Sequence, residues 1–109
     1  AGVGEDGRME MEIVHAPERN RYEAVRGGEV LGFAEFHRTD ELVVFTHTEI
    51  DPQFEGEGVG GALVRGALDH VRELGLKALP VCPFVQAWLH RHPDYADLDY
   101  RRKEPATEG

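Results

Sequence analysis

The spacing of apolar residues changes at Pro52. Before it, short runs alternate apolar with polar residues, the pattern of half-buried strands. After it, Val59, Leu63, Ala67, Val71 and Leu74 recur every three or four positions, the pattern of a helix buried along one stripe. A chain that switches period in this way builds a sheet and then lays a helix across it.

The elements follow from that switch. "MEIVH" (11–15), "RYEAV" (21–25), "VLGFAEFH" (30–37) and "LVVFTHTEI" (42–50) are joined by the short breakers "APERN", "RGGE" and "RTDE", which predicts an antiparallel meander. A helix is expected over about 57–74, stopped by Gly75. "LKALPVC" (76–82) is a short, mostly apolar strand, and the helical crossover makes it parallel to 42–50. A second short helix over 84–91 should bury Val85, Trp88 and Leu89 and end before Pro93.

A chain of 109 residues supports one core. The expected organisation is a single domain over 10–99 between disordered tails at 1–9 and 100–109. The formal charge of −9 lies entirely in the first sixty residues, and no Lys/Arg cluster offsets it, so nucleic acid is not an expected partner. A cationic partner such as an amine suits that surface better. Cys82, the single cysteine, forbids an intramolecular disulfide, and there is no apolar run of membrane-spanning length. A soluble, cytoplasmic protein away from membranes, monomeric or weakly dimeric, is the expectation.

Between strand and helix lies "DPQFEGEGVGGALV" (51–64). Strand, turn, glycines and helix in succession aim unpaired backbone N–H groups and the positive end of a helix dipole at one point, which favours an anion. The stretch lacks the Lys and Ser/Thr of a P-loop. It fits Gly-x-Gly-x-x-Gly at Gly56, Gly58 and Gly61, but without the chain-opening strand of a dinucleotide fold. Glu55 and Glu57 stand among the glycines, so the cradle is flanked by negative charge.

Gln53, Gly56 and Gly58 resemble the pyrophosphate-loop signature of the GNAT superfamily of acetyl-CoA-dependent N-acetyltransferases, Gln/Arg-x-x-Gly-x-Gly/Ala at the start of the central helix. In the register more usual for bacterial members the Gln/Arg falls on Glu55, a departure. "HTEI" and "LPVCPFV…HRHPDY" extend the resemblance over about 11–98, to the short GNAT-like (YjdJ-type) subgroup. It implies a minimal α+β fold: a mostly antiparallel mixed sheet with a splayed parallel strand pair, one long central helix and a second short one.

The resemblance also implies acetyl-CoA as cosubstrate. Pantetheine would lie against the backbone of Glu49 and Ile50, and the pyrophosphate on residues 56–61, drawing on Gln53, Gly56, Glu57, Gly58, Val59, Gly60 and Gly61, with Cys82, Phe84 and Arg91 nearby. Arg91 has a second reading as a cap of the short helix. For Cys82 three readings stand: nucleophile or relay, proton donor to the departing thiolate, or buried filler. His47 and Glu49 are the candidate general base, expected on one strand face with Val43 and Phe45. His90 and His92 lack further ligands at metal spacing, so no metal is expected.

Full-length relatives carry two helices after the first strand and a tyrosine on the helix after the second splayed strand. This chain has "APERN" and "FVQAWL" there. The implied acceptor site is open, suited to an amine on a protein or peptide, a lysine for example. The competing readings are a CoA or acyl-CoA binding module with little chemistry, acting through a partner, and a small structural domain.

Overall fold

The computed structural model describes residues 11–101. Five strands form one sheet in sequence order: β1 (Glu12–Ala16), β2 (Arg21–Arg26), β3 (Glu29–Arg38), β4 (Leu42–Ile50) and β5 (Lys77–Pro80). The first four are antiparallel and β5 is parallel to β4. Helix α1 (Val59–Glu73) makes the crossover, α2 (Pro83–Arg91) follows β5, and 3₁₀ turns occupy Pro17–Arg19, Pro52–Phe54 and Pro93–Leu98. The expected α+β architecture, with its meander and its parallel pair, is present. Tyr100 N–H still bonds Ala78 O at 2.8 Å. Apart from Tyr100 and Arg101, the expected tails lie outside the described residues.

Local chemistry sets the boundaries. Gly27 and Gly28 take φ of 60° and 82°, the two left-handed positions that a two-residue hairpin between Arg26 and Glu29 requires. The helix expected from 57 begins at Val59, because its cap Gly58 has φ 80° and interrupts helical winding. At its other end Gly75 N–H bonds Arg72 O and Leu76 N–H bonds Val71 O, a Schellman closure. Leu74 therefore sits beyond the helix, 37% exposed, rather than on its buried stripe. Strand β5 ends at Pro80, earlier than expected, and Cys82 becomes the cap residue of α2.

One face of the sheet is covered. Tyr22, Ala24, Phe36, Val43, Phe45 and Ala78 share a core with Leu63, Ala67, Leu68 and Val71 of α1 and with Val85, Trp88 and Leu89 of α2. At Gly66 helix α1 approaches β1 so closely that an added Cβ would overlap Ile13. Among the described residues no helix covers the other face.

A histidine pair closes the β1 side of this core. The His15 and His70 rings lie 4.6 Å apart, and Tyr22 Oη bonds His70 Nδ1 at 2.8 Å. Burial pushes the Tyr22 hydroxyl up to about 12. Burial also lowers the His15 pKa, helped by His70 and Arg38 and opposed by Glu18. The unfolded chain thus binds more protons at His15, and stability is expected to fall as pH drops below the ordinary histidine value of 6.5. Glu23 and Asp97, held down by Arg19 and Arg72, keep their contributions until pH falls below their ordinary 4.5 and 3.8. Thermal midpoints measured from pH 8 to 3 should show two separate declines. His15→Gln should remove the upper one only.

Candidate active site

The parallel pair is short. Register runs from Leu42 opposite Lys77 to Phe45 opposite Pro80, and there Val81 N–H and Cys82 N–H both turn onto Phe45 O at 2.9 Å. Past that point β5 gives way to α2, while β4 continues to Ile50 with a strand partner on its β3 side only. The expected splay is thus built from a doubly used carbonyl and a helix cap, with Gln86 Nε2 donating to Pro80 O and Val81 O across the turn.

Strand β4 also contains a bulge. Glu35 pairs with His47 but Phe36 pairs with Phe45, so Thr46 is the extra residue, its hydroxyl donating to Glu35 O. The bulge reverses the alternation of side chains. Val43 and Phe45 point into the core, and beyond Thr46 so do Thr48 and Ile50, leaving His47 and Glu49 on the open face. The expectation that Val43, Phe45, His47 and Glu49 share a face is therefore corrected, since an inserted residue shifts a period-two pattern by one.

Cys82 and the His47/Glu49 pair consequently sit on opposite sides of the sheet. Cys82 is 4% exposed, and its thiol donates to Thr48 Oγ1 at 3.3 Å. His47 Nε2 lies 3.2 Å from Glu49 Oε1, with both side chains more than half exposed. An ionised carboxylate only accepts, so Nε2 holds the proton of this bond and Nδ1 is the basic nitrogen of the neutral ring.

The glycine loop has the predicted form. Gly56 and Gly58 take φ of 85° and 80°. The first main-chain bond into α1 is from Ala62 N–H to Gly58 O, and no side chain caps the start of the helix. The N–H groups of Gly58, Val59, Gly60 and Gly61 have no carbonyl within the helix to bond. They stand at a cavity of about 330 Å³ lined by the backbone of this turn together with Ile50, Phe54, Glu55 and Phe84. Gly60 faces the Phe84 ring so closely that a Cβ there would overlap it. A pyrophosphate fits these groups: an uncapped helix start, glycines that keep side chains out, and an apolar wall beside an unpaired strand edge.

Other predicted residues lie outside that cavity. Gln53 is in the turn before it, its N–H taken by Asp51 Oδ1 at 3.0 Å. Arg91 is the last residue of α2, exposed. His92 Nδ1 lies 2.7 Å from Trp88 O, and its ring stacks on Trp88 at 3.7 Å. Among the described residues no cluster suited to a metal occurs, and no helix is long and apolar enough to cross a membrane.

The two glutamates of the loop differ. Arg26 reaches Glu57 at 3.3 Å and also lies over the Phe54 ring, drawing that carboxylate away from the glycines. Glu55 lines the cavity. Glu55→Arg is expected to tighten CoA binding by roughly 0.3–1 kcal/mol, a factor of about two to five, at low ionic strength. The gain should fade with added salt. Glu57→Lys should give less, since it sets a second cation beside Arg26. Isothermal titrations of the two variants at two salt concentrations check this.

The open face holds residues that sequence reasoning did not single out. The strand registers put Arg21, Glu35 and His47 in one row and Glu23, Phe33 and Glu49 in the next. Phe33 is the apolar centre, with Arg21 over its ring at 4.3 Å and His47 at 6.2 Å. Their signal was present in the alternation of "RYE" and "FAE", but only pairing converts alternation into neighbours.

A mixed sheet whose one parallel pair parts, with an uncapped glycine-started helix at the opening, defines an α+β domain with free main-chain N–H groups at that helix start. The chain belongs to the GCN5-related N-acetyl-transferase family, whose sequence model matches residues 21–98. It is similar to the protein NATD1 of Gallus gallus, 35% identical over 52 residues, which are 48% of this chain and 47% of that one. NATD1 of Xenopus tropicalis is 34% identical over 53 residues, 49% of each chain. The matches span about half the length of these relatives. Among solved structures, the solution structure of a GCN5-like protein from Staphylococcus aureus has the same fold, with a TM-score of 0.65 and 22% identity over 90% of this chain and 96% of that one.

Proposed function

We propose that the chain, as one domain over 10–99, transfers an acetyl group from acetyl-CoA to a primary amine by direct attack. The observation that carries this is the uncapped start of α1 opening onto a cavity beside the unpaired half of β4. The N–H groups of Gly58, Val59, Gly60 and Gly61 would hold the pyrophosphate, with Gly56 keeping the turn open; the Glu57 N–H is taken by Phe54 O at 3.3 Å. The main chain of Glu49 and Ile50 would hold the pantetheine, and Phe84 would form the apolar wall. Bound there, acetyl-CoA supplies an activated thioester carbonyl.

His47 Nδ1 takes the proton of the incoming ammonium, and Glu49 fixes the orientation of the ring through its bond to Nε2. Glu35, Glu49 and Asp51 lie on or beside the face from which a cation would approach. Cys82 is assigned to packing. Its enclosure and its bond to Thr48 separate it from the base, so no nearby group activates it as a nucleophile. That enclosure also supports the second reading, a CoA-binding module with slow chemistry. CoA should raise the melting temperature in proportion to the logarithm of its concentration, and an amine should accelerate CoA release from acetyl-CoA. Binding without amine-dependent release would leave the module; absence of binding would remove both readings.

A further inference from the structure

The open face carries a second cavity, of about 300 Å³, whose lining includes Arg21, Phe33, Glu49, Asp51 and Pro52. Its charges are segregated: two carboxylates on the β4 side and a single cation, Arg21, on the β2 side. An acceptor needing only an amine pocket would have no use for that cation, which repels an ammonium group.

Arg21 is held in place by a carboxylate that has little other access. Glu23 is 3% exposed, and its Oε2 receives Arg21 Nε at 2.8 Å and Arg19 Nε at 2.9 Å, with Arg19 Nη2 on Oε1 at 3.2 Å. Two guanidinium groups share one buried carboxylate, and Arg19 also reaches Glu18 at 3.6 Å, so Glu23 meets the Arg21 charge only in part. Stacking on Phe33 fixes the plane of the Arg21 guanidinium. No described side chain bonds its two terminal nitrogens, which are the pair suited to a bidentate carboxylate.

Resting on the acetyltransferase reading above, we propose that the acceptor is an amine that also carries a carboxylate several bonds away. Its ammonium lies against Glu49 and Asp51 beside His47, its methylenes cross Phe33, and its carboxylate is held by Arg21. Arg21 and His47 flank Glu35 in one row of the sheet, so their backbones are two strand spacings, roughly 10 Å, apart. The reach of the arginine shortens the gap to the length of a lysine-like or ω-amino-acid chain. Arg21 acts as a specificity residue. Glu23 is a positioning residue that acts through it.

The test compares 6-aminohexanoate, hexylamine and 1,6-diaminohexane as acceptors for the whole chain with acetyl-CoA. The expected result is a kcat/KM for 6-aminohexanoate roughly ten- to a hundredfold above hexylamine, carried by KM. Arg21→Gln should level the two. Glu23→Gln should raise KM for 6-aminohexanoate more than for hexylamine, a split that simple loss of stability does not produce. Equal use of the three amines by the unaltered protein overturns the specificity proposal and leaves acetyl transfer standing. No turnover with any of them overturns the acetyl-transfer reading, and the acceptor assignment with it.

Discussion

His47→Gln is expected to lower kcat/KM for acetyl transfer by roughly 10²–10⁴, the range in which a positioned general base contributes. The ring lies on the exposed side of β4, anchored by Glu49 at 3.2 Å, and glutamine keeps a hydrogen-bonding group there but cannot take up a proton. Glu49→Gln should give a smaller loss, because an amide oxygen still accepts from Nε2 and keeps the ring oriented. CoA affinity, proposed to rest on main-chain groups, should hold in both variants. A His47→Gln protein that turns over at the wild-type rate would exclude His47 as the base. Cys82→Ala separates the routes further. It should cost stability through lost packing against Thr48 and leave kcat/KM for acetyl transfer near the wild-type value.

Why the His47/Glu49 pair was legible and its setting was not comes down to one residue. His47 and Glu49 stand two apart on an evident strand, so their proximity follows from period two alone. Which face they occupy depends on Thr46, and nothing in "VVFTHTE" marks a bulge: it arises from pairing with "AEFH", where Glu35 and Phe36 take partners two residues apart. The same limit applies to the open-face grid. Arg21, Phe33 and Glu49 belong to three strands, and only register makes them neighbours. By contrast, the meander, the crossover helix and the parallel order rested on local period and turn chemistry, and these elements are present. Where boundaries moved, backbone conformation outweighed the apolar pattern: Gly58 in the left-handed region delays α1, and Gly75 removes Leu74 from its buried stripe. Of the two glutamates that seemed to oppose an anion cradle, Glu57 is held by Arg26, 31 residues distant, which no short-range reading supplies, while Glu55 still lines the cavity.

The second large effect concerns the cradle. Gly58→Val places a β-branched residue at φ 80°, where strain is of the order of 1–3 kcal/mol, although its Cβ would meet nothing within 4 Å. The turn is expected to relieve that strain by rotating, which moves the N–H groups of Gly58 and Val59 off the point they share. Charge-assisted bonds to a phosphate contribute roughly 1.5–3 kcal/mol each. Losing two lowers CoA affinity by a hundredfold or more. Gly75→Val supplies the matched control: φ is 74°, again with nothing within 4 Å of the new Cβ, but at the opposite end of the same helix. Both variants should lose comparable melting temperature in the absence of ligand. Only Gly58→Val should lose CoA binding by calorimetry, and its thermal response to CoA should vanish while that of Gly75→Val persists. Equal weakening in the two would mean that CoA affinity follows overall stability. The start of α1 would then be a structural turn, and the anion would be held elsewhere.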